Sequence, residues 1–443
     1  MSQKIVEYFQ GKKVLLLGFG REGKATFNYL RKYYPEMTIT VADKRQFSPP
    51  DENTRIICGE NYLDCINDFD VVMQSPGISL RDVEISESTE ITGEMDLFLR
   101  FADCFKIGIT GTKGKTTTTS LIYNIIVTHN YEKATGRKCF LLGNIGIPVF
   151  ECLDEIDEDS IAVIEMSCHQ LEFSKASPNI SVITNVYPEH LDHYNGFEGY
   201  VNAKLNIVKY QTGEDYFIYN ADQGLESFTD VGKLRGRPVP VSINDDKTDA
   251  FLASLDGINK HLKGDNAKQD IFFAVAAAKL VGAQERYIEL ALEEFGGIEH
   301  RLEEVGTWEG ITFYNDSIAT IPHTVVCNVK ALGNVSSLIF GGMDRGIDYT
   351  ELNEFLGSGV VGTLIGLPET GHMIIDALIK GGYKGKTFKV DTMDEAVEIA
   401  YKETKKGRSC LFSPAASSYN RYKNFEEKGN HFKSLCKYFG EKN

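Results

Sequence analysis

Short apolar runs alternate with glycine-bearing turns and longer amphipathic stretches along this chain, the rhythm of strand, turn and helix in an α/β protein. Between residues 12 and 43 a valine-leucine run, a glycine cluster and a second apolar run ending at Asp43 predict strand, turn, helix and strand. Residues 70–77 add a strand that closes in a Ser-Pro-Gly turn. A second α/β unit begins near Phe105, and the runs at 161–164 and 180–186 read as buried strands that deliver polar residues at their ends. Residues 197–210 form an amphipathic segment carrying Lys204 and Lys209, a pair that on a helix usually marks a solvent face. Residues 214–263 read as alternating strands with turn signals at 246–249 and Gly257, and residues 265–281 as a tightly packed helix. Phe-Gly-Gly-Ile-Glu-His-Arg at 295–301 reads as a linker and domain boundary. Candidate strands at 311–314, 337–340, 360–365, 387–390 and 409–412 then restart the rhythm.

The chemistry concentrates where these strands end. From 107 to 120 an apolar run breaks into Gly108, Gly111 and Gly114, followed by Lys115 and four threonines. Glycines there let backbone N–H groups converge on phosphate oxygens at a helix N-terminus, Lys115 would reach the terminal phosphates, and the Thr116 hydroxyl would hold Mg²⁺. The standard phosphate-loop spacing is met only at its Gly-Lys-Thr end, since Ile109 stands where the first glycine belongs. Gly18, Gly20 and Gly23 make a G-x-G-x-x-G after a strand, with Asp43 ending the next strand. That pattern suits NAD, and equally any ligand that sets phosphates on a helix N-terminus. Glu165 at one strand end and His190 beyond the next, beside the Gly-Lys-Thr loop, make a candidate Mg²⁺ shell. Gly143 and Gly146 flank Asn144 in a turn open to close backbone approach. Arg345, in a glycine-rich loop, has the planar fork that pairs with a carboxylate, although a lone loop arginine more often simply faces solvent.

Composition narrows the class. With 443 residues the length favours about three domains. A net charge of −16 argues against non-specific binding to nucleic acid or to anionic membrane, so acidic substrates must meet local basic groups and helix N-termini. Nine cysteines without a C-x-x-C pair suit a reduced, cytoplasmic thiol complement. No run approaches the length of a membrane-spanning helix, and no membrane insertion is expected.

Taken together, Gly111-Thr-Lys-Gly-Lys-Thr-Thr117, the Asn185 to His193 segment, Ala203-Lys204, Glu299-His-Arg301, Asn315-Asp-Ser317, and Ser413 to Ser418 with Lys423 to Gly429 resemble the Mur ligase family over nearly the whole chain. The resemblance implies a Rossmann-like UDP-binding domain over 1–100, a P-loop ATPase domain with a parallel sheet over 101–298, and a Rossmann-like, amino-acid-binding C-terminal domain over 299–443. It turns the first glycine cluster into a UDP site lined by Gly18, Phe19, Gly20, Arg21, Asp43, Ser75, Gly77, Asn144 and His190. ATP would be met by Gly111, Thr112, Lys113, Gly114, Lys115, Thr116 and Thr117, with Asn266, Arg301 and Asp316 holding adenine, phosphate and ribose. Two Mg²⁺ would be bound through Thr116, Glu165, His190 and Lys204, with Lys204 carbamylated by CO₂, which overrides its solvent-face reading. Lys115, Glu165, His190 and Lys204 are the implied catalytic set.

The implied reaction is the ATP-driven joining of glutamate to UDP-N-acetylmuramoyl-L-alanine through an acyl phosphate, by a monomer. Thr320, Arg345, Ser418, Tyr419 and Phe425 fall on the amino-acid positions. Here the chain departs from the family: Arg345 stands where many members have lysine, and Ile318 and Ile321 replace a lysine and an asparagine. Those changes keep a branch that adds L-glutamate as the alternative to the D isomer. An NAD-dependent oxidoreductase is the more distant alternative, and it lacks any histidine in the first 100 residues to serve as an acid or base.

Overall fold

Residues 2–189, 193–194, 196–223, 225, 228–244, 250–262 and 264–442 are described in the computed structural model. The chain divides into two compact units, Met1–Phe295 and Gly296–Asn443. The first unit carries two sheets and the second carries one.

In the first sheet β1 (Val14–Leu17), β2 (Ile39–Asp43), β3 (Thr54–Cys58), β4 (Val71–Gln74) and β5 (Glu90–Thr92) lie parallel in the order β3-β2-β1-β4-β5. β1 and β2 are buried at every position, as expected of parallel strands covered on both faces. The second sheet holds β6 (Phe105–Thr110), β7 (Cys139–Gly143), β8 (Ile161–Glu165), β9 (Ile180–Ile183), β10 (Tyr216–Asn220) and β11 (Arg237–Val241), all parallel, in the order β11-β10-β9-β6-β8-β7. In both sheets the chain first winds to one side of a central strand, β1 or β6, and then to the other. Such a reversal opens a crevice at the carboxyl ends of the strands, where ligands of open α/β sheets bind.

The two sheets of this unit share packing. Tyr29 and Phe150 meet at 4.9 Å between ring centroids, Gln170 Nε2 donates to Glu22 Oε1 at 2.6 Å, and the Lys175 N–H donates to Asp96 Oδ1 at 2.7 Å.

The second unit is built on β12 (Glu303–Trp308), β13 (Ile311–Asn315), β14 (Val335–Phe340), β15 (Thr363–Gly366), β16 (Lys386–Lys389) and β17 (Ser409–Phe412), in the order β12-β13-β17-β14-β15-β16. Only β12 runs antiparallel to its neighbour. Alternation along β17 feeds two cores: Cys410 and Phe412 pack with Phe313 and Phe432, while Leu411 packs with Leu338 and Leu364 on the opposite face.

Two local expectations change. The strand pattern read over 214–263 ends with β11, an edge strand that tolerates Pro238 and Pro240 because it needs no second ladder partner, and Ala250–Ser254 is helical. Residues 246–249 lie outside the described residues. Lys204 and Lys209 share the helix Phe197–Lys209 but are five residues apart, about 140° around its axis, so they face different ways. Lys209 is exposed and Lys204 is only 2% exposed.

Candidate active site

The loop after β6 is held from below by the end of β9. The Thr112 N–H donates to the Asn185 carbonyl at 2.8 Å, and the Lys113 N–H donates to Asn185 Oδ1 at 2.8 Å. Thr184 Oγ1 donates to the Lys113 carbonyl at 2.6 Å, and Thr112 Oγ1 lies 2.9 Å from the Tyr200 hydroxyl. Gly111 has φ +152°, and a methyl group there would collide with Thr184 Oγ1; Gly114, at φ +83° just before the helix Lys115–Glu132, backs onto Asp270. Only glycine fits at either point. Gly111→Ala is therefore expected to distort the loop and lower ATP turnover by more than about tenfold, with a loss of roughly 1–3 kcal/mol in stability, read from phosphate release and thermal melting of the same preparation.

Lys115 Nζ folds back on this loop, donating to the Gly111 and Thr112 carbonyls at 3.0 Å each. Lys204 Nζ reaches the same Gly111 carbonyl at 2.7 Å, so two lysines converge on one oxygen. Burial pushes the Lys204 ammonium down to about 7, and the neighbouring Lys115 charge adds to the drop. Glu165, at the end of β8, is 1% exposed; its Oε1 accepts from Asn144 Nδ2 at 2.7 Å, and its Oε2 is buried without a hydrogen-bond partner. A buried carboxylate oxygen with no donor is costly unless something cationic meets it. Thr116 lies one residue beyond Lys115 in the first helical turn. Among the described residues no three His, Cys, Asp or Glu side chains gather into a metal cage, and His190 lies outside the described residues.

At the crevice of the first sheet, Ser75 Oγ donates to the Gly18 carbonyl at 3.2 Å, and the Phe19 N–H donates to Asp43 Oδ2 at 2.9 Å. Burial would raise the Asp43 carboxyl, yet hydrogen bonds from the Arg45 side chain and backbone and from the Phe19 N–H hold it down at about 2. Gly77 and Arg21 are exposed beside this crevice, and Arg21 Nη2 donates to the Gly146 carbonyl, linking it to the turn that carries Asn144.

In the second unit Asp316 is fully committed. Its Oδ2 accepts from Ser413 Oγ and Asn328 Nδ2 at 2.6 Å each, its Oδ1 accepts from the Leu302 N–H at 3.2 Å, and burial raises the carboxyl to about 6. Thr320, Arg345 and Tyr419 are exposed, whereas Ser418 is buried and its Oγ has no partner. The Met343 N–H donates to the Ser417 carbonyl at 2.9 Å, tying the loop of Arg345 to that of Ser418. Phe425 stands edge-on to His300, with ring centroids 5.8 Å apart. In the first unit Asn266 is exposed early in the helix Gly264–Leu280.

Residues 109–280 match the Mur ligase middle domain, and residues 12–94 match the Mur ligase MurD-like N-terminal domain. UDP-N-acetylmuramoylalanine--D-glutamate ligase of Acetivibrio thermocellus is 34% identical, over 98% of this chain and 99% of its own. The protein of the same name from Symbiobacterium thermophilum is 35% identical over 86% of each chain. The chain belongs to the Mur ligase family. Other Mur ligases share the fold at low identity: the UDP-N-acetylmuramate-alanine ligase MurC of Thermotoga maritima superposes with a TM-score of 0.60 at 16% identity, covering 98% of this chain and 100% of that one. MurF of Thermotoga maritima, solved with ADP, gives 0.57 at 16% identity, over 96% and 95%. Membership in the Mur ligases leaves the oxidoreductase reading of the Gly18 cluster without support.

For this Mur ligase the tertiary structure gathers Lys115, Thr116, Lys204, Glu165 and Asn144 around one sheet edge, and Gly18, Phe19, Asp43 and Ser75 around another. Asn185, Thr184, Tyr200 and Asp270 carry the phosphate loop, yet the motif reading assigned them no role there. The available signal was the position of Thr184 and Asn185 just past a strand, the same logic that singled out Glu165.

Proposed function

We infer that this chain is an ATP-dependent amide ligase that joins D-glutamate to UDP-N-acetylmuramoyl-L-alanine in peptidoglycan precursor synthesis. The observation that carries the reading is the partnerless Glu165 oxygen beside a Gly-Lys-Thr loop, in a chain whose near-full-length relatives bear that ligase name. A free carboxylate is a poor acyl donor, so the γ-phosphoryl group of ATP moves onto the alanyl carboxylate to give an acyl phosphate. The glutamate amine attacks the carbonyl, the tetrahedral intermediate collapses, and phosphate leaves. Lys115 and the N–H groups of the loop bind the triphosphate and neutralise charge on the transferring oxygens. The UDP group is taken by the crevice at Gly18, Asp43 and Ser75, where a helix N-terminus favours a diphosphate.

Mg²⁺ fits the residues present. Glu165 Oε2 and the Thr116 hydroxyl are hard oxygen donors, and a magnesium ion that keeps waters and phosphate oxygens needs only one or two protein ligands. When bound it supplies charge neutralisation on the phosphates. Lys204, 2% exposed and held down at about 7 by burial, is suited to add to CO₂: the ammonium gives up one proton, the neutral amine forms an N–C bond as a C=O π bond of CO₂ opens, and loss of a second proton leaves an anionic carbamate. That change would also relieve its conflict with Lys115. Arg345 supplies a cation for a glutamate carboxylate, and Asn266, Arg301 and Asp316 serve the nucleotide, Asp316 by fixing its neighbours rather than by direct exposure.

Phosphate release from ATP, measured with Mg²⁺, UDP-N-acetylmuramoyl-L-alanine and either D- or L-glutamate, tests the reading. Turnover with D-glutamate alone is expected. Turnover with L-glutamate alone would shift the substrate to the other isomer and make Ile318 and Ile321 its marks, and silence with both would end the ligase assignment.

A further inference from the structure

Where the two sheets of the first unit meet, two carboxyl side chains come together with little to neutralise them. Glu94 opens the helix Glu94–Phe101 and is 2% exposed; its Oε1 accepts from Thr26 Oγ1 at 2.9 Å, and its Oε2 is buried without a hydrogen-bond partner. Glu22 lies one turn before Thr26 in the helix Arg21–Tyr33, so it shares the face that Thr26 turns toward Glu94. Its partner comes from the other sheet. Gln170 Oε1 accepts the Ser167 N–H at 2.9 Å, which leaves Gln170 Nε2 to donate to Glu22 Oε1 at 2.6 Å. Arg21 is the cation that acts on Glu22, and it is exposed and already donates to the Gly146 carbonyl.

Burial pushes both carboxyls up. The charge of Glu22 adds to the rise of Glu94, as does that of exposed Glu151, while Thr26 and the Phe150 N–H pull Glu94 down; Gln170 and then Arg21 pull Glu22 down. Two carboxylates in one desolvated place cannot both ionise cheaply, so the pair retains a proton that neither would hold in water. The pair also stands directly behind the first glycine cluster. Glu22 is in the first turn of the helix whose N-terminus follows Gly18 and Gly20, the end that favours a diphosphate. An anion arriving there repels the Glu22 carboxylate and draws on the charge of Arg21. Both effects favour the protonated carboxyl.

We propose that Glu22 and Glu94 form a proton-sharing pair that takes up a proton from solvent when the diphosphate of the UDP-substrate settles at this helix N-terminus. The proposal rests on the UDP reading of the crevice above. By linkage, affinity is highest where the free pair already holds the proton, and it falls as pH rises through the range in which the free pair has lost a proton that the bound pair keeps. The rival role is structural: Glu22 and Gln170 clasp the two sheets, and the pair titrates identically with and without substrate.

The test is isothermal titration of the full chain with UDP-N-acetylmuramoyl-L-alanine near neutral pH, in three buffers of different ionisation enthalpy, for wild type, Glu22→Gln and Glu94→Gln. The diphosphate diester and the alanyl carboxylate of this ligand are ionised throughout that range and take up no proton themselves. In wild type the binding heat is expected to vary with the buffer, giving an uptake of about 0.3 to 1 proton per site, and Kd is expected to rise with pH by up to about tenfold per unit. Either glutamine variant should still bind and should lose most of that uptake. Infrared difference spectra of the wild type should gain a protonated-carboxyl band on binding, a readout that remains if neither variant folds. A binding heat that is the same in all three buffers, an uptake unchanged in both variants, or no gained carboxyl band would overturn the proposal and leave the pair a clasp. Absence of any binding by the wild type would instead remove the UDP reading, and this proposal with it.

Discussion

Lys115→Ala is expected to lower kcat by on the order of 10³-fold or more while leaving the protein folded. The side chain is partly exposed, and its two contacts are to the Gly111 and Thr112 carbonyls of its own loop, which solvent can satisfy in the variant. The fold therefore loses little. The reaction loses the cation in the first turn of the helix Lys115–Glu132, whose charge matters most as negative charge spreads over the transferring phosphoryl oxygens. Phosphate release in the complete assay, set beside a thermal melt, separates the two effects. Activity within tenfold of wild type would show that the loop does not serve phosphate transfer.

Lys204→Ala should behave differently, because here stability and activity pull apart. In protein kept free of CO₂, where Lys204 is unmodified, the substitution also removes a buried amine that shares the Gly111 carbonyl with Lys115, so Tm measured there is expected to hold or rise. Activity is expected to fall by about 10²-fold or more, since the variant cannot carry the carbamate. The space left by the side chain would admit a small carboxylic acid, and high formate or acetate should restore part of the rate. Lys204→Arg keeps a charge that cannot add CO₂, and it should be as inactive as the alanine variant and resist rescue. Full activity of Lys204→Ala, or the lack of any rescue, would remove the carbamate from the mechanism.

The sequence by itself determined the α/β class, the Gly-Lys-Thr loop, the two glycine clusters and the strand ends that carry Asp43, Glu165 and Asn315, because these are local. Short apolar runs that break into glycine favour a buried strand and a turn before any distant segment arrives, and φ values such as that of Gly114 admit little besides glycine. Over 214–263 the same reasoning overreached: among the described residues β11 is the edge of its sheet, and Ala250–Ser254 is helical. The tertiary structure alone decided the roles of the charged residues. Lys204 reads as a solvent-facing lysine until β6 is packed over it, and Lys428 looks like any lysine of an amphipathic helix until Gly341 and Phe412 close on it. Asp316 reads as a ligand at a strand end, yet Ser413 and Asn328, 97 and 12 residues away in the chain, take its oxygens. Local patterning sets where a strand ends; which charges are stripped of water, and which of them find a partner, depends on segments that meet only once the sheets are assembled.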